Sequence, residues 1–304
     1  MIIPPYLKKG DTIGIVCPAG YMPIKKTNTC ISTLQSWGFK VEIGKTLGGK
    51  QKNYFSGTDD ERLQDFQTML DDKNIKAILC ARGGYGVSRI IDRINFTKFK
   101  QNPKWIIGFS DITVLHAHLN KQIKVASLHS PMAAAFNNNG FKNEYILSLK
   151  KSLTGLVNKY QCDTHTYNKL GKLQAELIGG NLALIAHLIG SKSSYKTNNK
   201  ILFLEDVGEY LYNIDRMFIQ LKRVGMLDNL KGLIIGKFSE LKDTTSPFGT
   251  DVYSIIYEHV KDYSYPICFD FPVGHITENV ALKIGVQYEL DVSKSKVFLK
   301  EILN

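Results

Sequence analysis

An α/β fold built on a parallel sheet is the architecture this sequence predicts, and three observations predict it. Short apolar runs alternate with amphipathic segments through the first half, the order in which strands and crossover helices follow one another in such sheets. Tight turns rich in glycine, or carrying a serine, follow those runs at their carboxyl ends, where parallel sheets collect ligands. At 304 residues, 43% hydrophobic and 22% charged, the chain is long enough for a sizeable core and for two domains.

In chain order, "TIGIVCPAG" (12–20) reads as a strand that breaks at Pro18-Ala19-Gly20, and residues 25–37 read as a helix. "KVEIG" reads as a second strand. "DDERLQDFQTMLDD" (59–72) is a helix with an acidic first turn, placing Leu63, Phe66, Met69 and Leu70 on one face. "KAILCA" (76–81) is a buried strand that runs into Arg82-Gly83-Gly84-Tyr85-Gly86, after which another helix is expected. "KWIIGFS" is the next strand, and a helix follows Ser110. A linker is expected after that, from "AAFNNNGFKNEY" through the weakly periodic residues 152–172.

The second half opens with "AELIGGNLALIAHLIGS", read as a loop entering an apolar helix. "KILFLEDVGE" is a strand ending in acids, "YNIDRMFIQLKRVGML" is an amphipathic helix, and "LKGLIIGKFS" and "VFLKEIL" are strands. These readings place domains at 1–165 and 166–304.

Bulk properties exclude several classes of function. No apolar run approaches the ~18–20 residues of a membrane span. The opening "MIIPPYLKKGDTIGIV" does not read as a secretory signal, because its lysines follow the apolar stretch and two prolines interrupt it. A cytoplasmic protein is expected. Cys17, Cys30, Cys80, Cys162 and Cys268 are odd in number and contain no C-x-x-C pair, so reduced thiols are expected rather than disulfides or zinc. The net charge of +11 suits an anionic partner, but its lysines are dispersed and no nucleic-acid motif is present. An acidic small substrate fits better than nucleic acid.

Ser110 poses the sharpest question. A strand-to-helix turn throws a side chain clear of the backbone, next to N–H groups able to bind an oxyanion. Ser110 or Asp111 can equally be a helix cap, and Ile112 stands where the hydrolase pattern G-x-S-x-G needs glycine. "ARGGYGVSR" fails the dinucleotide pattern at Arg89 and has no Walker lysine; its glycines either form a bare turn or bring backbone N–H groups close to a substrate. Of the histidines, His116 and His118 point about 200° apart on one helix, which is poor for a shared metal with His129. His187 reads as a core or contact histidine. His275 lies in a Pro/Gly loop after an apolar strand, where an imidazole can act as a base. Glu205 ends a buried strand and needs a partner: a histidine N–H, Arg216, or a magnesium ion shared with Asp206 and Glu209.

Seven stretches carry a pattern in order along nearly the whole chain: "GDTIGIVCPAG", "FSGTDDERLQDFQ", "ARGGYGVSRIID", "IIGFSDITVLH", "LIGGNLALIAHLIGS", "ILFLEDVGEYLYNIDRM" and "FPVGHITEN". In them the chain resembles the LD-carboxypeptidase family of serine peptidases, which includes the microcin C self-immunity peptidases. The resemblance implies a Rossmann-like N-terminal domain carrying a nucleophile at Ser110. A smaller β-rich C-terminal domain would carry the glutamate at Glu205 and the histidine at His275, with the site between the two domains. It also implies an oxyanion hole from the N–H groups of Gly84 and Asp111, a substrate contact at Asn181, a homodimer, and no metal or cofactor. Cys17 and Ser130 depart from the alanine and glycine usual there. No insertion supplies the aromatic contacts that immunity peptidases use for a nucleotide. The expectation is therefore release of the terminal D-Ala from a muramoyl tetrapeptide, with hydrolysis of a toxic peptidyl-nucleotide as the alternative and a catalytically silent muropeptide-binding module as a third.

Overall fold

The computed structural model describes residues 1–49, 54–138 and 142–302. Its strands are Thr12–Val16 (β1), Lys40–Ile43 (β2), Ile75–Cys80 (β3), Trp105–Gly108 (β4), Ser127–His129 (β5), Lys159–Asp163 (β6), Gly171–Asn181 (β7), Lys200–Val207 (β8), Gly232–Ser239 (β9), Ile267–Cys268 (β10), Leu282–Ile284 (β11), Gln287–Val292 (β12) and Lys296–Glu301 (β13). Its α-helices are Asn28–Ser36 (α1), Asp59–Asp71 (α2), Thr97–Gln101 (α3), Thr113–His118 (α4), Glu144–Leu153 (α5), Leu182–His187 (α6), Leu211–Arg223 (α7) and Val252–Val260 (α8). The chain divides into two units. One is Met1–Leu156 with Val280–Gly285, and the other is Val157–Asn279 with Val286–Asn304. The first unit thus ends before residue 165, and it takes back a short piece of the second half.

The first unit holds a six-stranded sheet in the order β11-β5-β4-β3-β1-β2. β2, β1, β3, β4 and β5 are mutually parallel, and β11 closes the edge antiparallel to β5, with Leu282 opposite His129. Ile13, Ile15, Ile78, Ile106 and Leu128 are fully buried, as strands covered on both faces require. The strand order reverses between β1 and β3, and in open parallel sheets the ligand crevice lies beyond the carboxyl ends at that point. The turns after β1, β3 and β4 are those that the sequence marks with Pro-Ala-Gly, Gly-Gly and Ser-Asp.

α2 packs on β1 and β3, and Gly14 of β1 makes room for it: a Cβ there would lie 2.8 Å from the Met69 sulfur. Phe66, Met69 and Leu70 are buried as the periodicity predicts, whereas Leu63 is only half-buried and Arg62 takes a buried place. Thr58 forms a capping box. Its hydroxyl accepts from Glu61 N at 3.1 Å, and Glu61 Oε2 accepts from Thr58 N at 2.7 Å. At the other end the buried Lys104 donates to the carbonyls of Met69 and Asp72, the direction the helix dipole favours.

The helix expected after the glycine loop is absent. Two 3₁₀ turns, Val87–Arg89 and Ile91–Arg93, stand there. The expected linker is also more ordered than its composition suggests: it contains the 3₁₀ turn Ala133–Asn137, α5 and β6, although part of "AAFNNNGFKNEY" lies outside the described residues.

The second unit holds a seven-stranded sheet in the order β10-β9-β8-β7-β12-β13-β6. β7 to β10 are parallel, and β12, β13 and β6 join antiparallel. "ELIGGN", expected as a loop, is the end of β7. This strand-rich unit and the parallel first sheet agree with the fold class expected. Among the described residues no helix is long and apolar enough to cross a membrane.

Replacing Thr58 by Ala removes the hydroxyl half of the capping box. Stability should fall by about 1 kcal/mol in urea titration. A loss below a few tenths would show that packing alone holds α2.

Candidate active site

In the first unit β4 ends at Gly108 and the chain turns sharply at Ser110, whose φ is +62°. A side chain in the left-handed region costs about 1–2 kcal/mol, so the surrounding fold must impose it. Ser110 is half-exposed, at the start of a 3₁₀ turn that leads into α4. Phe109, the residue before the turn, makes no side-chain cap bond to it. His116 of α4 braces the elbow from beneath: its Nε2 meets the Gly108 carbonyl at 2.8 Å and its Nδ1 meets Ser127 Oγ at 2.8 Å. Burial pulls its pKa down to about 4, so it is a neutral strut.

The glycine loop comes directly against this elbow. A Cβ on Gly83 would lie 2.9 Å from Ser110 Cβ, 3.1 Å from its Oγ and 3.2 Å from the Asp111 nitrogen, so only glycine fits there. Gly84 has φ +99°, and a Cβ on it would lie 2.7 Å from the Tyr54 hydroxyl. The Gly84 backbone therefore sits beside Tyr54 and Gly83 beside Ser110. Gly83 is the glycine the sequence reading passed over, although the Gly-Gly doublet marks it. Asp111 is fully buried and its Oδ2 accepts from Val87 N at 2.8 Å, tying the elbow to the loop. Burial pushes its carboxyl up to about 6.

In the second unit Glu205 and His275 meet. Glu205 Oε2 lies 2.7 Å from His275 Nδ1; the carboxylate is fully buried and the imidazole is 19% exposed. Burial alone would lower the His275 pKa, but the Glu205 charge and hydrogen bond outweigh it, and the pKa stands above the ordinary histidine value.

The local backbone is shaped for this pair. The β8–β9 register slips between Leu204 and Asp206, where β9 places two residues, Gly236 and Lys237, opposite the single Glu205. Two glycines clear the space. A Cβ on Gly236 would lie 2.5 Å from the Val273 carbonyl oxygen and 3.3 Å from Glu205 Cβ. One on Gly274, at φ +135°, would lie 3.1 Å from Glu205 Oε2. The loop is pinned by Gly274 N on Asn279 Oδ1, Lys237 N on the Val273 carbonyl, and Ser239 Oγ on the His275 carbonyl.

Asp206, next along β8, points elsewhere. It accepts from Asn181 Nδ2 at 2.8 Å, Val207 N at 2.8 Å and Ala183 N at 2.9 Å. Burial and the adjacent Glu205 push its carboxyl up to about 7. Asn181, read as a substrate contact, is buried, caps α6 by accepting from Leu184 N at 3.1 Å, and lies opposite Glu205 in the β7–β8 register. Arg216 has its guanidinium over Tyr212, and among the described residues no cluster fit for a metal gathers around Glu205, Asp206 and Glu209.

Gly274→Ala would press a methyl against the Glu205 carboxylate in a backbone conformation alanine resists. The expected result is a loss of about 1–3 kcal/mol in stability and a lower His275 pKa, read by NMR titration of its ring. An unchanged His275 titration would show that Gly274 does not shape the pair.

The comparisons with known proteins fit this arrangement. The model of the LD-carboxypeptidase N-terminal domain matches residues 13–130, and that of the C-terminal domain matches 174–290. The chain is 32% identical over 302 residues to the probable murein peptide carboxypeptidase of Bacillus subtilis strain 168, covering 98% of this chain and 94% of that one. It is 26% identical to the microcin C7 self-immunity protein of Escherichia coli, over 97% and 94% of the two chains. The crystal structure of muramoyltetrapeptide carboxypeptidase from Oxalobacter formigenes superposes with a TM-score of 0.85 at 27% identity, covering 95% of this chain and 98% of that one. With both domain models matched in order, the chain belongs to the LD-carboxypeptidase family.

Proposed function

We propose that this protein is a serine-type LD-carboxypeptidase that releases the terminal D-Ala from a muramoyl tetrapeptide, with Ser110, Glu205 and His275 as its triad. The observation that carries the reading is the Ser110 elbow: a half-exposed serine held at φ +62° against Gly83, in a chain that matches the family along both domain models. Support for the base comes from the 2.7 Å contact between Glu205 and His275 Nδ1.

Ser110 Oγ attacks the carbonyl of the L-configured residue before D-Ala, and its proton passes to His275 Nε2. Glu205 keeps the other proton on Nδ1 and stabilises the imidazolium that forms. The oxyanion is bound by backbone N–H groups, for which Gly84 and Asp111 are the assignment. His275 then returns the proton to the leaving amine, D-Ala departs, and water cleaves the acyl-enzyme by the same route in reverse. Asn181 acts on the substrate side of this scheme while its amide holds Asp206 and α6. The enzyme works as a homodimer in the cytoplasm, where its five unbridged thiols suit a reducing compartment.

Ser110→Ala should keep its fold and lower kcat by about 10³-fold or more. Near-normal turnover by that variant ends the serine reading. The pH profile gives a second test. The base must be neutral, so kcat/KM should rise with pH through an apparent pKa above 6.5, the ordinary histidine value, because the His275 pKa is raised. Glu205→Gln removes the charge that raises it; the limb should move to lower pH while kcat falls. A limb unmoved by Glu205→Gln assigns the titration to another group.

The substrate is tested with a matched set: the tetrapeptide with its L–D terminal bond, the L–L and D–D isomers, and the C-terminal amide. Mass spectrometry should find rapid loss of one alanine from the first alone. Comparable cleavage of the L–L isomer indicates an ordinary carboxypeptidase. Turnover confined to a peptidyl-nucleotide conjugate assigns the chain to the activity of the microcin C7 relative.

A further inference from the structure

The Gly86–Val87 peptide is gripped at both ends by buried charged side chains. Its carbonyl oxygen accepts from Arg62 Nη1 at 3.0 Å, and its N–H donates to Asp111 Oδ2 at 2.8 Å. Arg62 and Asp111 are both fully buried. The same Arg62 Nη1 also donates to the Pro18 carbonyl at 2.5 Å, and Nη2 pairs with Asp59. One guanidinium and one carboxylate thus join the three turns that follow β1, β3 and β4. Gly86 is what admits the guanidinium, since a Cβ there would lie 2.7 Å from Nη1, and its φ of +146° is one that side chains avoid. Phe55 covers the cation from outside, with its ring centroid 4.8 Å from Arg62 Cζ.

We propose that Arg62 and Asp111 are positioning residues for the reaction: together they fix the plane of the Gly86–Val87 peptide, and through it the Gly83–Gly84 backbone, in which Gly83 lies against Ser110. The assignment rests on the Ser110 reading above. Its physical basis is that a peptide group free to rotate would swing the loop on its glycines, and the loop is glycine at 83, 84 and 86. Opposite charges at the two ends of one peptide dipole admit a single orientation. Ion pairing alone does not account for the arrangement, because Arg62 already has Asp59, while the Asp111 carboxylate is spent on a backbone N–H. A misplacement near 1 Å costs about 10²-fold in rate, which is the scale at which a positioning residue shows itself.

The test uses the L–D tetrapeptide and the full-length protein. Asp111→Leu keeps the branching at Cγ, with bulkier ends, and removes the acceptor; Asp111→Asn keeps an acceptor oxygen; Arg62→Met keeps the stem and removes the donors. The expected result is a fall in kcat of about 10²-fold for Asp111→Leu and Arg62→Met, with KM changed less than about threefold. Asp111→Asn should recover to within about tenfold of the unmutated enzyme. The double variant Arg62→Met/Asp111→Leu should lose little more than either single one, because both act on one peptide. Amide exchange in the unmutated protein reads the clamp without substitution: the Val87 N–H should be strongly protected and that of exposed Tyr85 should not. Normal kcat in both single variants, a kcat loss that only follows the loss of folded protein, or unprotected Val87 exchange overturns the proposal. If Ser110→Ala is inactive while Asp111→Leu is fully active, the clamp fails and the serine reading stands. If Ser110→Ala is active, the serine reading itself fails.

Discussion

A carboxylate taken out of water must be given its partners by the fold, and the candidate site is organised around that constraint. Asp111, Glu205 and Asp206 are all buried, and all lie at the carboxyl ends of parallel strands. Leaving any of them unpaired would cost several kcal/mol or force it neutral. The fold meets the requirement in three ways. Asp111 takes a backbone N–H from the glycine loop, Glu205 takes the imidazole of His275, and Asp206 takes two backbone N–H groups and an amide. Asp111 and Glu205 each tie a loop to a strand end, and Asp206 ties the start of α6 to β8, so satisfying the charges and shaping the backbone are the same act.

Glycine is the other half of that economy. Gly83 lets the loop touch Ser110, and Gly86 admits a guanidinium. Gly236 and Gly274 clear the volume that the Glu205 carboxylate occupies. At none of these four positions does a Cβ have room without moving backbone or a charged group. Gly83 and Gly86 share one loop of the first unit, Gly236 is in β9 and Gly274 is in the loop that carries His275, yet each stands beside a residue assigned to the chemistry or beside one that holds such a residue in place. Substitution there should disturb activity through geometry, without removing any functional atom.

Much of this was legible in the sequence, and the reasons for success and failure are local. β1, α2, β3, β4, β8, α7 and β9 were readable because each carries a long apolar run or a strong amphipathic stripe bounded by capping or turn residues. Ser110 and Glu205 stood out because a polar residue ending a buried strand asks for an explanation. The segment after Gly86 was read as a helix on its apolar residues, but the clamp at Gly86–Val87 and the tight turns imposed there leave only 3₁₀ geometry. β5, β6 and β11 are three to five residues long and gain their stability from neighbours distant in sequence. The return of Val280–Gly285 to the first sheet is such a case: β11 pairs with β5 across some 150 residues, and no local pattern announces it. Arg62 escaped notice because a charged residue inside an amphipathic helix reads as its solvent face. Only the three-dimensional position of the Pro18 and Gly86 carbonyls shows that it points inward.

The two adjacent acids on β8 bring the electrostatics of the second unit to a single balance. Glu205 and Asp206 are successive residues, so their side chains leave the strand in opposite directions, one to His275 and one to Asn181 and α6. They still feel one another, and burial together with Glu205 pushes Asp206 up to about 7. His275 feels both acids, and Glu240 adds to them to a smaller degree. Both charges act on His275 in the same direction, raising its pKa. Asp206, hydrogen-bonded to Asn181, Ala183 and Val207, acts on the imidazole through its charge, whereas Glu205 acts through charge and a hydrogen bond together. Two neighbouring acids at one strand end thus reach the same imidazole by different routes, one by contact and one across space.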